Sequence, residues 1–491
     1  MIENIQIILL ISVFVIMSVL MFLRKMPALM ALPFMAILIA FIGGINSDGV
    51  LRYVIGFGTL KLHSAYTVAM FGSMLSILLQ KTGIAENIIK KGAELTGDNP
   101  FIIAFIMLLM ITLLFTTIGG LGAIIMVATI VLPIMSSVGL SPLTTVGIFL
   151  IGLSAGGTLN AGNWAVYTSV MGLKISQILP FASLMFFLTL FASVVFITIQ
   201  LYRDGQEINP LRYLITFLLV LTPFISLFVI YKYLLPLNVV AVVDQIFTMT
   251  GNIIGFVSRT IVILLFIYAL IKPFIIQYLK KTHDPVSYLA PIYPLLLILL
   301  FEMDFIAAFV AGLLFVFLLT YRKGSLNLLI QSIFEGGSIV MPAVVLMFGI
   351  GMLLVAIMGP GTPLSEYPGG WPVLGLLKPV LANIVPQTKL TYILIFAFLA
   401  PLALYRGPFN VWGMGYGLAA VFLASGLAPG AVMGLLLSVG QIQGISDPTN
   451  THNVWLANEM RVDVQKILWT TLPYTWILAV IGLIIAAIMF M

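Results

Sequence analysis

The 491 residues include no cysteine, which excludes disulfides, thiolate nucleophiles and Cys-ligated metals. Histidine is nearly as scarce. Three residues, His63, His283 and His452, are scattered along the chain and form no metal-ligand spacing. Charge is thin as well: 8% of positions are Asp, Glu, Lys or Arg, against about a quarter in ordinary soluble domains. The sequence shows no paired acids beside a headgroup-level pocket, no glycine-rich nucleotide loop and no large polar segment, and so carries no mark of a membrane-embedded enzyme or an ATP-driven pump. The net charge of +6 sits mostly in short connections rather than in a basic patch, which excludes nucleic acid as a partner.

What fills the chain is apolar, at 62% of positions. Runs of roughly 20 apolar residues recur from end to end, each long enough to cross a hydrocarbon core of about 30 Å as a helix. The first run, residues 5–22, follows Glu3 and is closed by Arg24 and Lys25. A cleavable signal has the opposite polarity, so this run reads as a retained span. The composition therefore predicts an all-α, polytopic membrane protein.

Internal repetition refines that picture. The segment GLSPLTTVG at 139–147 resembles GLAPGAVMG at 426–434, an offset of 287, and MFG at 70–72 matches MFG at 347–349, an offset of 277. The offset of 287 also aligns Gly120 with Gly407, Gly157 with Gly444, Asn160 with Asp447 and Asn163 with Asn450. Two repeats are implied, residues 1–201 and 284–491, each with five spans and one re-entrant hairpin. Residues 202–283 supply two linker spans, near 213–230 and 254–278, separated by a less hydrophobic stretch containing Asp244 and Asn252. This gives about 12 spans and two hairpins.

Thirteen Lys and Arg residues in the connections fall on one side and seven on the other, with Lys272 and Arg406 inside apolar segments. The richer side is predicted to be cytoplasmic, leaving both termini outside a prokaryotic plasma membrane. Arg24 and Lys25 follow the first span of repeat one, whereas Glu302 and Asp304 follow its counterpart in repeat two. Opposite charge fits opposite sides, so these acids are expected in a loop.

Four segments interrupt apolar helices with Gly, Pro, Asn and Thr. Hairpin one, 101–138, turns at Thr116, Thr117, Gly119 and Gly120; hairpin two, 390–424, turns at Arg406, Gly407 and Asn410. The broken helices, 143–171 and 430–458, carry Thr158, Asn160 and Asn163 in the first, and Ser446, Asp447, Thr449, Asn450, His452 and Asn453 in the second. Backbone unwound at membrane depth survives only where protein buries it or it lines a watery cavity. Helix N-termini exposed there favour anionic groups, and free carbonyls or carboxylates favour cations. Asp447-Pro448 predicts a half-helix restarting with Asp447 as N-cap. Arg406 suits an anion clamp because its guanidinium stays charged and grips carboxylates with two parallel bonds. Asp447 suits the coupling ion or proton, since a carboxylate at this depth is costly and usually functional. His452 and Ser446 lie beside it.

At these residues the chain resembles the ion transporter superfamily, and within it most the gluconate:proton symporter family. The stretch THNVWLANEMRVDVQKILWTTLPYTWILAVIGLI at 451–484 is similar to that family's Asn-rich break, Trp-bearing helix and last span. The chain departs from it where Arg406-Gly407-Pro408-Phe409 replaces a small Ser/Thr-rich tip. The resemblance implies uptake of a small organic anion coupled to a proton or sodium, by elevator-type motion of a body bearing hairpins and broken helices. It also implies a homodimer. No other cofactor is expected, and no metal site is assigned beyond sodium as a coupling ion. An alternative is a cation/proton antiporter that exchanges through Asp447, with Arg406 as its partner.

Overall fold

The structure is a computed structural model describing residues 2–23, 25–94, 97, 99–206, 211, 215, 237–275, 284–362 and 364–491. Among the described residues it is all-helical, without a strand. The first half runs α1 Ile2–Phe22, α2 Ala28–Ile42, α3 Ser47–Lys81, the amphipathic α4 Ile84–Glu94, a hairpin of α5 Pro100–Phe115 and α6 Leu121–Ser137, a broken helix of α7 Pro142–Thr158 and α8 Ala161–Met171, and α9 Ile175–Arg203. The second half repeats this order. It runs α11 Pro285–Phe301, α12 Phe305–Leu319, α13 Ser325–Met358, α14 Pro372–Ile384, a hairpin of α15 Lys389–Arg406 and α16 Tyr416–Ala424, a broken helix of α17 Pro429–Ser446 and α18 Thr451–Glu459, and α19 Val464–Phe490. Between the halves lies α10, Leu237–Ile275.

Local chemistry sets many of these ends. Asn99 and Ser141 cap α5 and α7, each with proline in the first turn, where its missing N–H costs nothing. Asp304 caps α12 by accepting from the Ile306 and Ala307 amides and is exposed, as is Glu302, so both acids are loop residues.

Inversion is visible where the halves touch. A Cβ added to Gly336 would sit 2.6 Å from Met74 Cα, and one on Gly58 would sit 2.7 Å from Met352 Cα. High numbers on α3 therefore meet low numbers on α13, so these matched helices run antiparallel in backbone contact. Only glycine permits that approach. At the basic end of the pair, Lys81 bonds Glu335 at 2.6 Å. On the broken helices, Ser154 Oγ donates to Gln441 Oε1 at 2.8 Å. These residues are themselves separated by the repeat offset, which places the axis relating the halves between α7 and α17.

Asp244 and Asn252, in the less hydrophobic stretch between the two expected linker spans, both lie within the 39-residue α10. The expected span at 213–230, residue 215 apart, and the end of the other at 276–278 lie outside the described residues. Two bridges fasten α10 to the second half. Arg259 Nε donates to Leu300 O at 2.6 Å, and Lys272 Nζ binds Asp284 at 2.8 Å and Leu319 O at 2.5 Å.

Candidate functional site

In the first break, α7 and α8 meet at 50°. Asn160 occupies the corner. Its Oδ1 accepts from the Gly162 and Asn163 amides at 2.9 and 3.3 Å, capping α8, while Nδ2 donates to Phe115 O at 2.9 Å and Ile118 O at 3.5 Å. One side chain thus caps the restarting helix and ties it to the tip of hairpin one. Asn163 Nδ2 donates to Gly157 O at 2.8 Å, and Trp164 Nε1 donates to Thr158 O at 2.9 Å, satisfying carbonyls that the ended helix leaves free. Thr158 bonds Ala155 O within its own turn.

The hairpin tip is divided. Thr116 and Thr117 are buried, their hydroxyls committed to Leu113 O and, across to the second half, Pro291 O. Gly119 and Gly120 are exposed, and Gly120 holds the left-handed φ of 85° that turns the chain.

The second break is built on the same plan with opposite polarity. Asp447 is 0% exposed. Its Oδ1 accepts from Tyr405 N at 3.0 Å, Thr449 N at 2.9 Å and Thr449 Oγ1 at 2.7 Å, and its Oδ2 accepts from Asn410 Nδ2 at 3.2 Å. Asn160 donates to the tip of its hairpin, whereas Asp447 accepts from the tip of the other. All four partners of Asp447 are donors. Among the described residues it has no ion pair.

The helix does not restart at Asp447 as predicted. Pro448 lacks an N–H, Asp447 folds into a turn on the Thr449 amide, and α18 begins at Thr451 with Asn450 as its N-cap residue. Asn450 Nδ2 donates to Gln443 O at 2.5 Å, Asn453 Nδ2 to Ile445 O at 3.0 Å, and His452 Nε2 lies 3.1 Å from Gly444 O. Asn453 Oδ1 is buried without a hydrogen-bond partner. Ser446 Oγ joins Thr471 and Thr475 hydroxyls at 2.8 and 2.9 Å on the side facing α19.

Hairpin two turns through two consecutive non-glycine residues with left-handed φ, Tyr405 at 54° and Arg406 at 56°, a conformation costing about 1–2 kcal/mol per residue. Gly407 follows because a Cβ there would collide with Leu402 O. The turn directs the Tyr405 amide to Asp447 and the Tyr405 hydroxyl to Gln465 Oε1 at 2.9 Å. Arg406 is left exposed, with no ion pair among the described residues. The pairing of Arg406 with Asp447 that the antiporter alternative carries is therefore not made: the strained turn sends the backbone inward and leaves Arg406 exposed.

Four contributors were not among the expected site residues. Gln443 Oε1 accepts from Val411 N at 2.6 Å and so fixes hairpin two from α17. Gln441 holds the crossing, and Thr471 and Thr475 hold Ser446. The offset of 287 between Ser154 and Gln441 was the available signal for the crossing. Among the described residues, no three His, Asp or Glu side chains converge as a metal site.

The architecture has a solved counterpart. The crystal structure of the YdaH transporter of Alcanivorax borkumensis, reported to have an unusual topology, matches 90% of this chain and 89% of its own, with a TM-score of 0.51 and 13% identity. The two chains share a fold. Neither a family model nor a curated protein sequence matches the chain.

Proposed function

We propose that the chain is a secondary transporter that moves a small organic anion, a carboxylate, coupled to a proton or sodium. The observation that carries this reading is the buried Asp447, held by four donors at a helix break and without an ion pair among the described residues, beside the exposed Arg406 on the adjoining turn. An ionised group kept inside a membrane protein without a counter-charge marks a place where a cation or proton arrives and leaves. An exposed Arg on a hairpin turn, remote from loop charges, marks where an anion is met. Asn160, Asn163, Thr449, Asn450 and Asn453 line the same breaks as hydrogen-bonding groups. His452, against Gly444 O, is placed to pass a proton.

In this reading the Lys- and Arg-rich face is cytoplasmic, and the hairpins and broken helices move together as one body. The antiporter alternative uses the same carboxylate without an organic substrate. Uptake of labelled carboxylates into proteoliposomes, under an imposed pH or sodium gradient, separates the two. Arg406→Gln is expected to abolish that uptake with unchanged thermal stability, since the side chain packs against nothing it would leave unpaired. Uptake at the wild-type rate would overturn the clamp assignment.

A further inference from the structure

Away from the helix breaks, a cavity of about 470 Å³ opens between α1, the end of α2 and α14, a volume within the range of small-molecule sites. It lies at the end of α1 opposite Arg24 and Lys25. On α1 it is lined by Glu3, Gln6 and Ile7, which stand three and four residues apart and so share one helix face. On α14 it is lined by Leu376 and Val380, and by Pro372 and Pro379, which have no N–H.

The polar side chains of this wall are weighted toward accepting hydrogen bonds. Gln6 Nε2 donates to Ile42 O at 3.1 Å, which fixes the amide and leaves Oε1 as an acceptor. Glu3 is exposed, and among the described residues its carboxylate has no ion pair. No Lys, Arg or His is among the described residues that line the cavity. Such a wall suits a cation that carries N–H groups. Its depth is set by its neighbours. On one side Ile5, Ile8 and Leu9 of α1 are 53, 63 and 46% exposed, an apolar surface that hydrocarbon covers; on the other, the start of α3 holds the exposed pair Arg52 and Asp48 at 3.7 Å. Between hydrocarbon and hydrated charge lie the lipid headgroups. The matched corner of the second half has the opposite character: α4 packs on the first turns of α11 and carries Lys90 and Lys91, paired with Glu86 and Glu94 at 2.5 and 2.7 Å.

We propose that this cavity is a lipid site that takes a headgroup ending in a primary ammonium, as in phosphatidylethanolamine. The ammonium donates to the Glu3 carboxylate and to Gln6 Oε1, the first of these a charge-assisted bond. A trimethylammonium headgroup brings the charge but no N–H. A glycerol headgroup brings no positive charge, and its phosphate meets the Glu3 carboxylate unshielded. The acyl chains lie along Ile5, Ile8 and Leu9, in the bilayer leaflet at the face opposite the basic one. Seated there, the lipid joins α1 to α14, the helix that leads into hairpin two. The inference goes beyond the transport reading and requires no particular substrate.

The test is native mass spectrometry of the full chain, released from nanodiscs holding phosphatidylethanolamine, phosphatidylcholine and phosphatidylglycerol in equal amounts. The wild type is expected to retain one phosphatidylethanolamine in preference to either other lipid by about tenfold, the scale of one charge-assisted bond. Glu3→Gln, which keeps the shape, is expected to lose that preference at unchanged melting temperature. Glu3→Lys reads the same point by inversion and is expected to favour phosphatidylglycerol. Equal retention of the three lipids by the wild type, or a preference for phosphatidylethanolamine that survives both substitutions, would overturn the site. Soluble phosphoethanolamine added in equal amount is expected to leave the lipid bound, because it lacks the chains; complete displacement would overturn the assignment to lipid. Lipid retention is read without uptake, so its failure is distinguishable from a failure of anion transport.

Discussion

At the first break a neutral Asn160 bridges helix and hairpin by giving and accepting hydrogen bonds; at the second an acidic Asp447 does the same by accepting alone. The scaffolding is equivalent: proline at the start of α7 and α17, a polar corner residue, an asparagine three positions later that satisfies a freed carbonyl. What differs is that Asn160 is an amide that both gives and accepts, whereas Asp447 is an acidic side chain that accepts only and, among the described residues, has no ion pair. In the proposed function this asymmetry is what matters, because a neutral amide corner has no group with which to take up and release a cation or proton.

The comparison is broken most severely by removing that acid. Asp447→Asn keeps the shape but presents an amide N–H among donors, and is expected to reduce coupled uptake by about two orders of magnitude, the scale of a lost charge-assisted interaction of ~3 kcal/mol. Undiminished gradient-driven uptake by this variant would mean the two corners are functionally alike. A smaller effect is expected from Asn160→Ala, which strands Phe115 O and the first amides of α8. It should lower folding stability by about 1–3 kcal/mol, measured as a fall in melting temperature, with uptake per folded molecule largely retained.

The smallest effect lies outside both breaks and serves as their control. Burial pushes the Asp284 carboxyl up, but the Lys272 ammonium, the Val286 amide and the Tyr268 hydroxyl more than offset it and hold it below the usual carboxylate range. A carboxyl lowered by folding contributes stability that is present above its unfolded pKa of about 3.9 and is lost as pH falls through the lower folded value. Melting temperature should therefore drop on acidification below pH 4 in the wild type. In Asp284→Asn the start should already be lower and the drop shallower. An equal acid limb in both would assign it to other groups.

Much of this was legible in the chain because membranes make sequence simple. Apolar runs declare spans, and Gly, Asn and Asp stand out against them, so Asn160 and Asp447 emerged as equivalent positions. The details that did not emerge have physical causes. A glutamine inside an apolar run, such as Gln443, shows no partner in its own segment, since its hydrogen bond crosses to the hairpin 32 residues earlier. Asp447 looked like an N-cap because Asp-Pro usually starts helices; here the side chain was drawn instead to a hairpin 42 residues earlier in the chain. Arg406 was placed in the right turn, but its direction depended on two left-handed residues whose type gives no warning of that conformation.

The hydrogen bond between Ser154 and Gln441 joins two positions that the repeat makes one. A residue on a two-fold axis meets its own copy. Were the two halves identical, whatever stood at this position would have to be its own complement, donor and acceptor at once. Because the halves differ in sequence, one copy is a short hydroxyl that donates and the other a longer amide that accepts. The same difference in sequence puts an amide at one corner and an acid at the other.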